Sequence, residues 1–596
     1  MKASSTPHDS LSDFTTDVRV LLLSAMAVVI GLMSACVAWV LLWLIAVITN
    51  LSFFHRFSTA AVTPQDALDG PWIILVPVIG ALIIGLMARY GSPKIRGHGI
   101  PEALEAILIG RSRMEPKVAL LKPISSAISI GTGGPFGAEG PIIMTGGALG
   151  SLFAQMFHLS AAERKTLLVA GAAGGMAAIF ATPVAAVLLA VELLLFEWKP
   201  RSFIPVAVSA LVASCLRVPL LGAGPIFATV PHGAIGWNEM LIALGVGVAA
   251  GLFSGLLTTL VYAVEDLFER IPLHWMWWPA IGALFVGLGG YLDPRVLGVG
   301  YGLIHSLLQG NLLGMAALGL LVGKALVWTI ALGSGTSGGV LAPLLIMGGA
   351  LGALLSHWLP VGDAGLWAMV GMAAIMGGTM RSPFTGMVFL LELTHDLNAL
   401  PALMIGSVAA LATTVLLLRR SILTEKIARH GHHITREYSV DLFNLLRVGE
   451  VMDSDAPTIS SRATVLQLSD LIASGDAKLS RRQGTLILDE QGLLVGIITR
   501  GDLLRAMSGK AASQTTVLEA GKSNPIVTFA DELLHDAIAK MLRHDVGRLP
   551  VVDRANPRKV IGYLGRANIV AARSRHLEEE DLRERGLNAA ALPETA

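Results

Sequence analysis

Three short elements carry the most distinctive chemistry in this sequence: Gly97-His98-Gly99-Ile100-Pro101-Glu102, Gly137-Ala138-Glu139-Gly140-Pro141 and Gly338-Gly339-Val340-Leu341-Ala342-Pro343. Each stands just before a segment that reads as a helix. Glycine lets backbone amides approach a ligand closely, and proline fits the first helical turn, where its missing N–H costs nothing. A helix start exposes unpaired N–H groups and roughly half a positive charge. Several such starts meeting at one point would hold an anion without a buried lysine or arginine, and would still release it. Glu139 adds a titratable group at such a start. Its carboxylate can occupy the place of an anion, be displaced by one, and drop out of the competition on protonation. The plainer alternative is a glutamate that only satisfies the helix dipole.

The surrounding elements must position these groups inside a membrane. Hydrophobic residues make up 53% of the 596 and charged residues only 15%, far from the charge content of a soluble domain. Apolar runs of spanning length are expected at Val20–Ile48, Pro71–Ala88, Lys165–Phe196, Ile204–Leu221, Leu241–Val264, Trp275–Leu292, Leu313–Leu332, Trp367–Met380 and Ala402–Leu418. The stretches Ala127–Phe153 and Gly333–Leu355 are too glycine-rich to span cleanly, the usual sign of broken helices lining a substrate site. The first apolar run is too long for a signal peptide, so no cleaved leader is expected. Arg419, Arg420, Lys426 and Arg429 follow the last span and assign the tail to the cytoplasmic side.

A duplication runs through the apolar part. Gly137–Pro141 followed by Gly146-Gly-Ala-Leu-Gly150 returns, 202 residues later, as Gly339–Pro343 and Gly348-Gly-Ala-Leu-Gly352. Pro183 and Glu192 return 200 residues later as Pro383 and Glu392. Four landmarks in order argue for a two-fold repeat of the transporter kind, with its site where the halves meet. The halves differ at one telling position: Glu139 has Leu341 as its twin. A carboxylate at membrane depth costs about 2.5–3.5 kcal/mol, which marks Glu139 as the functional member of the pair.

Other chemistries are disfavoured. Cys36 and Cys215 both fall in apolar runs and make neither a disulfide framework nor a metal site. His430, His432 and His433 read as a solvated segment rather than metal ligands, and no metal is expected. The formal charge of +1 implies no nucleic-acid partner. No paired carboxylates or nucleophile–base constellation appears in the apolar region, so no enzyme is expected. A divalent-cation transporter would want acidic or amide side chains at depth, and apart from Glu139 the three elements offer backbone amides.

Beyond the last span the character changes. Two units follow with the order βαββα: Thr464–Ala473, Gly484–Leu488 and Leu494–Thr499 in the first, then Leu533–Arg543, Arg548–Val552 and Val560–Gly565 in the second. This pattern resembles a tandem CBS-domain pair. In such pairs a Thr-x-x-Asp after the last strand can bind the ribose of an adenine nucleotide, and Thr499 and Asp502 match it; Gly565 and Asn568 match it poorly. The Thr/Asp pair is equally an ordinary helix cap.

The glycine elements resemble the signature motifs of the CLC family of chloride channels and chloride/proton antiporters, GSGIP, GREGP and GxFxP, over residues 20–430. The resemblance implies an all-α polytopic membrane domain with an inverted two-fold repeat and broken helices, followed by an α/β CBS pair, assembled as a homodimer in a lipid bilayer, with a bacterial inner membrane expected. It implies that Glu139 is the gate and that His98, Gly99, Ile100, Gly140, Val340 and Leu341 surround chloride or a similar small anion, with no cofactor required. The expected divisions are a cytoplasmic N-terminus at 1–19, the pore domain at 20–430 with halves near 20–222 and 235–420, a linker at 431–446, CBS repeats at 447–510 and 515–573, and a tail at 574–596. Four departures bear on selectivity: His98 replaces the family's serine, Ala138 its arginine or lysine, Leu341 its phenylalanine and Leu423 its anion-coordinating tyrosine. Leu193 stands where the antiporters carry a second glutamate, which leans toward a passive channel over a proton-coupled chloride, fluoride or nitrate antiporter.

Overall fold

A computed structural model describes residues 18–67, 70–108, 110, 112–429, 446–480, 482–508 and 513–574. The expected N-terminal segment 1–17, the linker with His430, His432 and His433, and the tail beyond 574 lie outside them. The chain divides into two units, Met1–Glu437 and Tyr438–Ala596.

The first unit is helical throughout. Its first half comprises α1 (Arg19–Phe54), α2 (Trp72–Tyr90), α3 (Ile100–Leu108), α4 (Pro116–Gly131), α5 (Glu139–Gln155), α6 (Ala161–Phe180), α7 (Pro183–Leu189) and α8 (Pro200–Leu221). The second comprises α9 (Trp237–Glu269), α10 (Trp278–Leu292), α11 (Tyr301–Leu308), α12 (Gly314–Gly333), α13 (Leu341–Leu355), α14 (Ala364–Met380), α15 (Pro383–Thr394) and α16 (Leu400–Leu417), and α17 (Ile422–Arg429) follows. The series match one to one, so the fold is an inverted two-fold repeat. Seven helical stretches among the described residues are long and apolar enough to cross a membrane. Their outward faces stay apolar: on α2, Trp72, Leu75, Ile79, Ile83 and Leu86 are exposed at helical spacing. In water that stripe would be a liability; against lipid it is the solvated side.

The apolar run Lys165–Phe196 is not the single span expected. It breaks at Ala181 (φ 56°) and Pro183 into α6 and α7, and α7 runs on into a π-helical turn, Ala190–Leu195. The residue before a proline is pushed out of the helical region, and Thr182 accordingly sits at φ −122°, ψ 69°. Arg381, Ser382 and Pro383 repeat this break before α15. The glycine-rich stretches break as expected: α4 stops at Gly131 and α5 starts at Glu139, while α12 stops at Gly333 and α13 starts at Leu341.

Each half supplies polar groups that complete the other. Glu192 accepts hydrogen bonds from the amides of Phe384 (3.2 Å) and Thr385 (2.8 Å) at the start of α15. Glu392 accepts from Val184 (2.9 Å) and Ala185 (2.8 Å) at the start of α7. The matched glutamates therefore cap each other's helices, the structural role expected for them. Two fully buried lysines, Lys122 in α4 and Lys324 in α12, repeat the principle within each half. Lys122 Nζ donates to the carbonyls of Ile95 (2.8 Å) and Gly97 (2.7 Å), and Lys324 Nζ to those of Val296 (2.9 Å) and Gly298 (3.0 Å). Each ammonium ties down the turn that precedes a short helix, α3 or α11.

The second unit is α/β. Its first repeat contains β1 (Thr458–Ser460), α19 (Val465–Ala473), β2 (Gly484–Leu488), β3 (Leu494–Thr499) and α20 (Arg500–Met507), preceded by α18 (Val448–Val451). The second contains β5 (Thr528–Phe529), α22 (Leu534–Arg543), β6 (Arg548–Val552), β7 (Val560–Gly565) and a helix over 566–574, preceded by α21 (Val517–Ala520) and β4 (Lys522–Ser523). In both, the first strand pairs parallel with the second and the second antiparallel with the third. The short leading helices are exchanged: Val448 and Val451 join the core of the second repeat, and Val517 joins that of the first.

Lys324→Met keeps the side chain's length but leaves the carbonyls of Val296 and Gly298 without their shared donor. A buried acceptor stripped of its partner costs about 1–3 kcal/mol. We expect a lowered thermal midpoint for the purified variant; an unchanged midpoint would mean the carbonyls find other donors.

Candidate anion site

The starts of α3, α5 and α13 meet at backbone level. Gly137 and Gly339 form an antiparallel bridge, with Gly339 N–H donating to Gly137 O (2.9 Å) and Gly137 N–H to Gly339 O (3.2 Å). Gly97 and Ser337 form a parallel bridge beside it, and Gly97 N–H donates to Thr336 O (3.2 Å). The approach leaves no room for side chains. Gly99 has φ +91°, and a Cβ there would lie 2.5 Å from Gly140 O. A Cβ on Gly140 would run into His98 O and lie 3.0 Å from Gly339 Cα. Glycine at these two positions is therefore a steric requirement of the meeting point.

Glu139 is fully buried at this junction. Its Oε1 accepts from the amide of Ala342 (3.2 Å) in the first turn of α13. The carboxylate fills the space that side chains on Gly137 and Gly339 would occupy. Its electrostatic partners are amides, its own and those of Leu341 and Ala342, and no cationic side chain contributes. The acid on one helix start thus takes the anion's place at another. Oε2 has no hydrogen-bond partner among the described residues.

The other expected residues fall as follows. Val340 and Leu341 are fully buried at the start of α13, with Ala342 next to them. Ile100 is the first residue of α3 and Gly140 lies in the first turn of α5, both buried. Gly99 N–H is already engaged, donating to Glu102 Oε2 (2.8 Å), and Glu102 is ion-paired to Lys426 of α17. One of the amides expected to face the anion is therefore taken by an internal carboxylate. His98 is 4% exposed, its Nδ1 has no partner among the described residues, and it lines a cavity of about 620 Å³ shared with Arg96, Glu102, Tyr262, Glu265 and Lys426. Leu423 is fully buried in α17 and contributes no donor. Leu193 is buried and apolar, and Glu192 beside it is committed to the cap of α15.

Sequence reasoning missed Ala342 as the amide under Glu139, Glu102 as the group that occupies the α3 start, and the buried pair Lys122 and Lys324. The lysines had a signal available, since they recur at the same 202-residue offset as the glycine motifs. Glu102 stands directly after the first motif, but nothing along the chain shows that its carboxylate turns back onto Gly99.

In the second unit Thr499 and Asp502 lie together, as a helix cap. Thr499 Oγ1 accepts from Asp502 N–H (3.2 Å), and Asp502 Oδ2 accepts from Thr499 N–H (3.0 Å) and from its hydroxyl (2.7 Å). Arg505 is ion-paired to the same aspartate. Asn568 repeats half of this arrangement, accepting from Gly565 N–H (2.9 Å).

Against known proteins, the voltage gated chloride channel family profile matches residues 80–415, more than half of the chain, and the CBS domain profile matches 448–509 and 519–575. A relative in Salmonella typhimurium, the voltage-gated ClC-type chloride channel ClcB, is 31% identical over 390 residues, covering 63% of this chain and 92% of its own. The fold is similar to that of a slow cyanobacterial Cl−/H+ antiporter (TM-score 0.61, 19% identity, 70% of this chain and 99% of the other). It is also similar to that of a eukaryotic CLC transporter (TM-score 0.58, 18% identity, 92% and 98%).

Gly140→Ala forces a methyl group into the His98 carbonyl, and overpacking of a tight interior costs about 1–3 kcal/mol. Gly302 in α11 has open space around it, and alanine there is expected to be neutral or to stabilise by about 0.5–1 kcal/mol. Thermal unfolding of the two purified variants should move in opposite directions or differ clearly; equal midpoints would deny the crowding at Gly140.

Proposed function

The chain belongs to the voltage gated chloride channel family and ends in two CBS domains, and on that premise we propose that it passes chloride or a similar small anion passively, through a path gated by Glu139. Chloride transport across a membrane is the family's activity, and the chain is a transport protein rather than an enzyme. The observation that carries the gate reading is the Glu139 carboxylate resting on the first amides of α13. An anion arriving at those amides competes with the carboxylate for the same partial positive charge. Protonation removes the carboxylate's charge and with it the competition, so flux should rise as pH falls.

Passive flow is favoured over proton exchange by Leu193 and by Glu192. The first cannot carry a proton, and the second is held by two amides and the Thr385 hydroxyl at the start of α15. Anions other than chloride, fluoride and nitrate among them, remain in play at His98 and Leu423, where the family's hydroxyl ligands are replaced. We assign Gly140, Ile100, Val340 and Leu341 to the amide lining of the path. The basic residues Arg419, Arg420, Lys426 and Arg429 support a cytoplasmic tail, and the Salmonella relative supports a bacterial inner membrane. A homodimer with one path per subunit and domain divisions at 20–430, 447–510 and 515–573 complete the proposal. Adenine nucleotide at the tail would have to compete with Thr499 and Arg505 for Asp502, so the cap alone accounts for this pair.

In liposomes, Glu139→Gln should keep anion flux and flatten its pH dependence, which for the parent should span about tenfold per unit of pH near the titration of a single group. A Gln variant with the parent's pH profile would remove Glu139 from the gate. The reversal potential of the parent should follow the chloride gradient alone; proton movement driven by that gradient would make the protein the antiporter instead. Removing residues 446–596 should leave a flux-competent membrane domain, and a folded but silent truncation would contradict the division.

A further inference from the structure

The second half of the repeat carries a hydroxyl that the passive-path reading has not used. Tyr301 is the first residue of α11, as Ile100 is of α3. Its ring is held by Phe180 (centroids 6.3 Å apart, 83° between planes) and by Phe227 (6.0 Å, 59°). One side of the residue lines a cavity of about 660 Å³ together with Trp43, Arg295, Gly298, Val299 and Gly300. By the repeat this cavity is the counterpart of the one at His98, since Gly298–Gly300 correspond to Gly97–Gly99. An inverted repeat sets the two on opposite faces of the membrane.

The hydroxyl is buried and has no hydrogen-bond partner among the described residues. A buried hydroxyl without a partner is costly, and a phenylalanine ring would fill the same aromatic slot without that cost. Glu139 is the one charged group close enough to act on it electrostatically. Glu139 in turn has Oε2 unpartnered, and apart from backbone amides no other group acts on its charge. Two orphaned polar atoms, one a donor and one an acceptor, thus face the same small region. Nearby, Lys324 holds the carbonyl of Gly298 and has no carboxylate partner among the described residues, so this side of the path carries a net positive charge. Arg295 adds little to it, being bound to Asp293 through two contacts of 2.8 Å.

We propose that the Tyr301 hydroxyl is the outer side-chain ligand of the path, donating to Glu139 while its carboxylate holds the site and to the halide once the carboxylate has left. The hydroxyl is a single donor handed between two anions. It gives this chain, from the opposite half, the kind of phenolic donor that Leu423 cannot supply. The inference rests on the reading of Glu139 as the gate.

Tyr301→Phe in the full-length protein, reconstituted in liposomes, tests it, with a thermal midpoint equal to the parent's as the check on folding. The chloride concentration for half-maximal flux should rise about tenfold, equivalent to about 1.4 kcal/mol. The pH midpoint of flux should move about one unit upward, because the lost donor favoured the charged carboxylate over the protonated acid. In the Glu139→Gln background the pH effect should vanish while the loss of chloride affinity persists. A purely structural tyrosine would change neither chloride affinity nor the pH midpoint, and that result overturns the proposal. If Glu139→Gln alone keeps the parent's pH profile, the gate reading fails; a tenfold affinity loss in Tyr301→Phe then still upholds the hydroxyl as an anion ligand, and its absence sinks that too.

Discussion

A carboxylate from one helix start resting on the bare amides of another is the contact on which the membrane unit depends. Glu139 and the first turn of α13 meet where no cationic side chain intervenes, so the attraction is between a charge and a set of peptide dipoles. Such a bond is strong enough to occupy the site and weak enough to be exchanged. A lysine at the same place would form an ion pair at membrane depth that a passing anion could hardly break. The cations that are buried, Lys122 and Lys324, direct their donors to carbonyls of the neighbouring turns. They shape the path without plugging it.

That contact requires interrupted helices, and interrupted helices inside a bilayer require new partners for every freed backbone group. The two-fold repeat meets this need by reciprocity. Glu192 and Glu392 cap each other's helices across the halves, Gly137 and Gly339 exchange hydrogen bonds, and Gly97 and Gly298 each dock on the turn before the other half's central helix, at Thr336 and Gly133. Neither half satisfies all of its own polar groups, so the site exists only where both are folded together. The CBS pair follows the same rule in a different solvent, exchanging the leading helices at Val448–Val451 and Val517–Ala520. There apolar burial takes the place of backbone hydrogen bonding.

The departures from the family's motifs are concentrated at the side chains that touch the path. Backbone donors at the start of α13 are present whatever residue follows Val340, which is why leucine is tolerated at 341. Side-chain donors have no such protection, and the serine-to-histidine and tyrosine-to-leucine changes at 98 and 423 alter what the ion meets. Selectivity is therefore expected to vary along this family more readily than the fold.

Much of this is legible along the chain. Apolar runs of spanning length, their interruption by glycine and proline, the landmarks that recur at a 202-residue offset, and the strands Gly484–Leu488, Arg548–Val552 and Val560–Gly565 all follow from local preferences, which a linear sequence states directly. The contrast of Glu139 with its twin Leu341 singles out the acid by residue type alone. What the tertiary structure alone decided is where each polar atom ends: that Glu139 takes the amide of Ala342, that Glu102 claims Gly99, that the run from Lys165 to Phe196 breaks at Ala181, and that the Tyr301 hydroxyl is left beside the gate. Most of these partners lie in different helices, some of them about 200 residues apart, and no local pattern encodes a distance set by how two halves pack.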